Sequence, residues 1–184
     1  FLLSALLMTL MILFGKAKLS LRGKNLKPLL LLAVTEPMYF YFESYGILYT
    51  NATFAGVVLA VAPVVAILLS VLFLKESPTR RQAVFCLLPV AGVMLMTVSG
   101  SSMGIIRPLG VVFLMGACLT SGAYKTVNRR TAQEFTAFER TYVVMLACAA
   151  AFTLSALRTI KGDLAAYVRP LSDPKFLICV VVLS

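Results

Sequence analysis

The chain has 184 residues, of which 60% are hydrophobic and 13% charged, and its mean hydropathy is +0.95. A soluble domain carries about 25% charged residues, so water alone cannot be the solvent of this chain. The formal net charge of +10 would raise nucleic acid as a partner in a soluble protein, but the basic clusters here lie between long apolar runs, which makes them topology signals and excludes nucleic-acid binding.

Apolar runs bounded by charged or turn residues predict seven transmembrane helices in an all-α bundle. The first covers about 1–14 and reads as truncated, because Phe1 opens inside an apolar run with no basic segment before it. The second runs about 28–50, the third 53–74, the fourth 82–99, the fifth 108–126 and the sixth 138–157, and the seventh begins near Phe176 and is cut off at Ser184. The second and third meet at Thr50, Asn51 and Ala52, so they must be antiparallel neighbours. Asn51 or Thr53 can cap the incoming helix there; Asn51-Ala52-Thr53 also forms a glycosylation sequon, but so tight a turn against the membrane favours capping. Small residues recur at Gly56 and Ala60, Ala117 and Ser121, and Ala147 and Ala151, a spacing that lets helix backbones approach in lipid.

Counting Lys and Arg in alternate connections orients the bundle. One side holds twelve: Lys16, Lys18, Arg22, Lys24, Lys27, Lys75, Arg80, Arg81, Lys125, Arg129, Arg130 and Arg140. The other holds five, Arg107, Arg158, Lys161, Arg169 and Lys175. The first side is therefore expected to be cytoplasmic, where its cations also meet anionic membrane lipid.

The run from Thr35 to Gly46 places Glu36 and Glu43 inside one span. A carboxylate at a helix centre costs about 2.5 to 3.5 kcal/mol to insert, so it stands there for a reason. Seven residues separate the two, roughly 10 Å and two turns along one face, with Tyr39 and Phe40 between them. Such a stripe is expected to face a polar cavity or the bundle interior, where at least one carboxylate binds a cationic substrate group or relays a proton. The alternative is structural: each is held by neighbouring helices or by backbone freed near Pro37. Pro63 and Pro89 stand mid-span and remove the bonds to the carbonyls of Leu59 and Phe85; such bends line transport sites or merely kink a helix. Thr120 and Ser121 bring hydroxyls to the fifth span, where they bond their own helix or reach a ligand, and Lys125 is expected to snorkel to the interface.

Enzymatic readings find little support. The chain has no histidine, no metal-ligand spacing, no GxSxG, no GxGxxG and no phosphate-cradling loop, so no cofactor or metal is expected. Cys86, Cys118, Cys148 and Cys179 all fall in apolar spans without a CxxC pair and read as small buried residues. A membrane enzyme using the two glutamates as acid and base, and a scaffold that carries nothing, are the rivals to a carrier.

The stretch Tyr49-Thr50-Asn51-Ala52-Thr53-Phe54-Ala55-Gly56, continuing through Pro63 to Phe73-Leu74-Lys75-Glu76-Ser77-Pro78-Thr79, resembles a helix hairpin of EamA-type domains in the drug/metabolite transporter superfamily. Ala91-Gly92-Val93, the Gly110–Arg130 stretch and the Glu36-Pro37 and Phe42-Glu43 pairs add to the resemblance, the glutamate pairs pointing to a bacterial branch. It implies ten helices in two inverted five-helix repeats around a central cavity that passes amino acids or related metabolites. On that pattern, residues 1–100 are the end of the first repeat and 105–184 the start of the second. The first helix and the last two or three are expected to be missing. It also implies a multi-pass protein of the bacterial plasma membrane, with a homodimer as one assembly. Glu36, Glu43, Tyr39, Phe40, Pro63 and Thr120 are the candidate site residues.

Overall fold

The computed structural model describes residues 1–21, 23–75, 79, 81, 84, 88, 91, 92, 95 and 106–160. Its continuous stretches form the helices α1 (Leu2–Leu13), α2 (Leu26–Tyr49), α3 (Ala52–Leu59), α4 (Ala62–Leu74), α5 (Pro108–Thr131) and α6 (Ala137–Ile160). Val84, Leu88, Ala91, Gly92 and Leu95, within the predicted fourth span, and Arg81 just before it are helical too. The rest of that span, including Pro89, and the predicted seventh span lie outside the described residues.

Local sequence explains where these helices begin. The Asn25 side chain accepts from the Lys27 amide at 3.2 Å and opens α2, and that of Asn51 accepts from the Phe54 amide at 2.8 Å and opens α3. Pro108 starts α5, where its missing N–H costs nothing, and Arg129 and Arg130 close it at the negative end of the helix dipole. At α6 the Thr136 hydroxyl accepts from the Glu139 amide at 3.2 Å, while the Glu139 carboxylate accepts from the Thr136 amide at 2.9 Å. Those two reciprocal bonds are a capping box.

Residues Ala52–Phe73, α5 and Ala137–Arg158 of α6 are long and apolar enough to cross a membrane. At 24 residues α2 matches α5 and α6 in length, about 36 Å, but its two glutamates and four tyrosines dilute its hydropathy. It sits between α5 and α6. In lipid, helices associate by close packing rather than by expulsion from water, and glycines set the distances here. A Cβ on Gly46 would lie 2.5 Å from Leu114, one on Gly110 2.9 Å from Tyr49 Cβ, and one on Gly122 2.9 Å from Leu69. These pairs fix α2 antiparallel to α5, and α4 against the far half of α5, where Ser70 Oγ lies 3.5 Å from Thr126 Oγ1. A buried cluster of Leu29, Leu32, Phe135, Val144 and Cys148 joins α2 to α6. On the outer flank of α6 lies α1, with Thr9 Oγ1 at 3.2 Å from Tyr142 Oη and the Phe1 ring stacked on Phe152.

The predicted third span is not one unbroken helix. It stops at Ala60 and Val61 and restarts as α4 with Pro63 in its first turn. Pro63 cannot donate to the Leu59 carbonyl, and the chain closes the gap with tighter bonds, Val61 N to Val58 O at 3.1 Å and Val64 N to Val61 O at 2.9 Å. Of the small-residue pairs, Ala117 is fully buried in the α5 seam, whereas a Cβ on Gly56 would meet nothing within 4 Å.

The antiparallel packing brings the α1–α2 connection, the end of α4 and the α5–α6 turn to one end of the bundle. Lys16, Lys18, Lys24, Lys27, Lys75, Arg129, Arg130 and Arg140 gather there. Arg107 and Arg158 stand at the opposite end. The charge count grouped these connections in the same way.

Candidate functional site

The α2–α5 register determines what surrounds the acidic stripe. Gly46 abuts Leu114 and Gly116 lies against the Phe42 ring, so the next contacts toward the basic end place Tyr39 beside Cys118. Further along, Glu36 comes within electrostatic range of Lys125 and Tyr124 on α5 and of Cys148 on α6. Counted from Leu26, Glu36 lies about 15 Å, Tyr39 about 20 Å and Glu43 about 26 Å along a helix of about 36 Å, so the group straddles its middle.

Within that group Tyr39 Oη donates to Glu43 Oε1 at 3.1 Å, the i, i+4 contact that a helix face permits. Both glutamates are half-buried. The Cys118 thiol is 2% exposed and donates to the Val58 carbonyl at 3.4 Å, at the break between α3 and α4. Two carboxylates, a phenol, a thiol and an interrupted helix therefore meet near mid-depth. Such a set can hold a cation, pass a proton and bend. Among the described residues no group of His, Cys, Asp and Glu could hold a metal ion.

The six expected residues divide. Glu36, Tyr39 and Glu43 come together, and Pro63 stands just past the helix break that receives the Cys118 thiol. Phe40 meets the Tyr39 ring edge-on at 5.1 Å but lies in the seam with α1 and α6, also edge-on against Phe1 at 5.0 Å and Phe152 at 6.3 Å. The Thr120 hydroxyl bonds its own helix, donating toward Gly116 O at 2.9 Å and Ala117 O at 3.1 Å, and is committed there. Lys125 is exposed on the basic half of α5, the position a snorkelling lysine takes.

Sequence reasoning missed Glu139. It is 1% exposed, and its carboxylate accepts from Ser20 N at 2.9 Å, from Lys24 Nζ at 3.1 and 2.9 Å, and from Thr136 N at 2.9 Å. Lys24 Nζ also lies 5.0 Å over the Phe135 ring. The spacing Thr136-Ala137-Phe138-Glu139 before an apolar run is a capping-box signature and would have found the residue, though not its partners across the seam. At the opposite end of the α2–α5 seam, Phe113 packs against Phe42, Tyr45 and Tyr49 with ring centroids 5.5 to 6.1 Å apart.

Antiparallel apolar helices of membrane-crossing length, basic residues gathered at one end and carboxylates held at mid-depth define a multi-pass membrane protein. The model of the EamA-like transporter family matches residues 1–98, more than half of the chain, and the chain belongs to that family. It is 32% identical over 180 residues to the uncharacterized transporter YcxC of Bacillus subtilis (strain 168), an alignment that covers 96% of this chain and 58% of the relative. The chain thus spans less than two thirds of that relative's length. No solved structure matches it.

Proposed function

We propose that the parent protein is a secondary transporter that moves a small metabolite, an amino acid or a related compound, across the bacterial plasma membrane by alternating access. Glu36 and Glu43 are the groups that take a cationic substrate moiety or the coupling proton. The observation that carries this reading is the pair of half-buried carboxylates at mid-depth of α2, between α5 and α6, beside a helix broken at Ala60 and Val61. Ionisable groups at such depth mark substrate and proton paths, and interrupted helices supply the pliable backbone around them. Family membership and the relative described as a transporter support the same class of activity.

The test is uptake and efflux of a labelled metabolite panel, at several pH values, in vesicles carrying the full-length protein and its Glu36→Gln and Glu43→Gln variants. Loss of a pH-dependent flux in either variant is the expected result. Unchanged flux in both would refute a role for these carboxylates. The Tyr39 bond to Glu43 favours a positional part for Glu43, so retention of flux by Glu43→Gln alone would leave Glu36 as the functional group.

A further inference from the structure

We infer that the Lys24–Glu139 ion pair, with the Ser20 amide and the Phe135 ring, is a latch that closes the basic end of the bundle and must open in each cycle. The inference rests on the alternating-access reading. Lys24 and Ser20 belong to the α1–α2 connection, inside the segment matched by the family model, whereas Phe135 in the α5–α6 turn and Glu139 in the first turn of α6 lie beyond it. Four hydrogen bonds converge on one carboxylate, and three of them come from the α1–α2 connection across the seam. Leu21 packs beside them against the cluster of Leu29, Leu32, Phe135, Val144 and Cys148. Any path from the Glu36–Glu43 group to the basic end that parts α6 from the α1–α2 connection has to break this contact.

The chemistry suits a seam that separates and closes again. A dry apolar seam would have to expose its whole face to open. Here the two charges recover water as they part, and an ion pair in water is worth little, so the separated state is accessible. Closed, the carboxylate is dry and fully bonded, which holds the register. Lys24 is already 27% exposed, so hydration can begin on its side of the pair. The aromatic group of Phe42, Tyr45, Tyr49 and Phe113 begins at the level of Glu43 and continues toward the other end of the bundle.

Cys148 is a native reporter, because it is fully buried in the cluster behind the latch, about 14 Å along α6 from Glu139. The experiment measures the rate at which a membrane-impermeant maleimide applied from the basic side labels Cys148, read by site-resolved mass spectrometry in the full-length protein in oriented vesicles. Lys24→Met and Glu139→Gln should each raise that rate by roughly tenfold or more, the change that about 1.4 kcal/mol produces in a two-state equilibrium. The exchanged pair Lys24→Glu with Glu139→Lys should restore protection in part. An unchanged rate in a folded Lys24→Met protein overturns the latch, as does loss of the fold in both single variants, which would make the contact a static staple. Flux is measured alongside: normal flux with unchanged labelling sinks the latch alone, and absence of flux in the unmodified protein sinks the transport reading.

Discussion

Adding one methyl group at three glycines should give opposite results, because only one of the three is pinned against backbone. At Gly110 a Cβ would fall 2.6 Å from Thr50 Cγ2, 2.9 Å from Tyr49 Cβ and 3.0 Å from the Tyr49 carbonyl carbon. The last atom cannot swing aside, and the Arg107 amide bonded to Tyr49 O at 3.1 Å ties the two segments further. Overpacking of this kind costs about 1 to 3 kcal/mol, against about 1 kcal/mol recovered when alanine replaces glycine in a helix. Gly110→Ala should therefore lose up to about 2 kcal/mol net. At Gly116 the nearest atoms are those of the Phe42 ring, 3.3 to 3.5 Å away, which can give, and at Gly56 nothing lies within 4 Å. Gly116→Ala should be close to neutral, and Gly56→Ala should gain up to about 1 kcal/mol from propensity alone. The assay is monomer recovery by size-exclusion chromatography after a temperature ramp in detergent, where each kcal/mol is worth about 2 to 4 °C for a chain of this size. If Gly110→Ala melts above the unmodified protein, the α2–α5 contact at this end is wrong.

Asn51→Ala removes the acceptor of the Phe54 amide and should lower stability by about 0.5 to 2 kcal/mol, measured in the same ramp. Thr120→Val should leave flux unchanged, since the hydroxyl serves only its own helix; a loss of flux would show that it reaches the substrate. Tyr39→Phe frees the Glu43 carboxylate at a cost of about 1 kcal/mol in stability and should shift the pH profile of flux, whereas an unmoved profile would sever Tyr39 from the proton or substrate path.

Much of the architecture was legible because hydrocarbon leaves a chain few choices. Span lengths, the Asn51 cap and the pairing of basic connections follow from the thickness of the bilayer and the cost of unpaired backbone. The described residues bear out the cap, the lengths of the third, fifth and sixth spans and the pairing of the connections they include. The stripe was legible only in part. Positions 36, 39 and 43 share a face, but successive residues are about 100° apart on a helix, enough to carry Phe40 round to α1 and α6 while Tyr39 looks at α5. Cys118 was read as inert filler because spacing along one helix says nothing about which carbonyl of another helix lies opposite. The exact stop at Ala60 and Val61 was hidden for a related reason: a proline frees a carbonyl, but how the chain re-bonds depends on what packs beside it.

The acidic side chains within the helices differ in how fully they are bonded, and that difference separates structure from function. Glu139 accepts four bonds from three donors and is sealed from water. Glu43 accepts one bond, from Tyr39, and among the described residues no side chain pairs with Glu36. A half-buried carboxylate at mid-depth that no described side chain hydrogen-bonds is a cost to the fold, and such costs persist where activity needs the group. Exchange for the neutral isostere should therefore act in opposite directions. Glu139→Gln loses charge-assisted bonds and should reduce stability by about 1 to 3 kcal/mol. Glu36→Gln removes a half-buried charge that no described side chain hydrogen-bonds and should leave the melting temperature equal or higher while flux is lost. Thermal ramps and flux measured on the same preparations decide the matter. If Glu36→Gln destabilises the protein as much as Glu139→Gln does, Glu36 is a structural ligand of another helix, and the carboxylate that does the transport must be sought elsewhere.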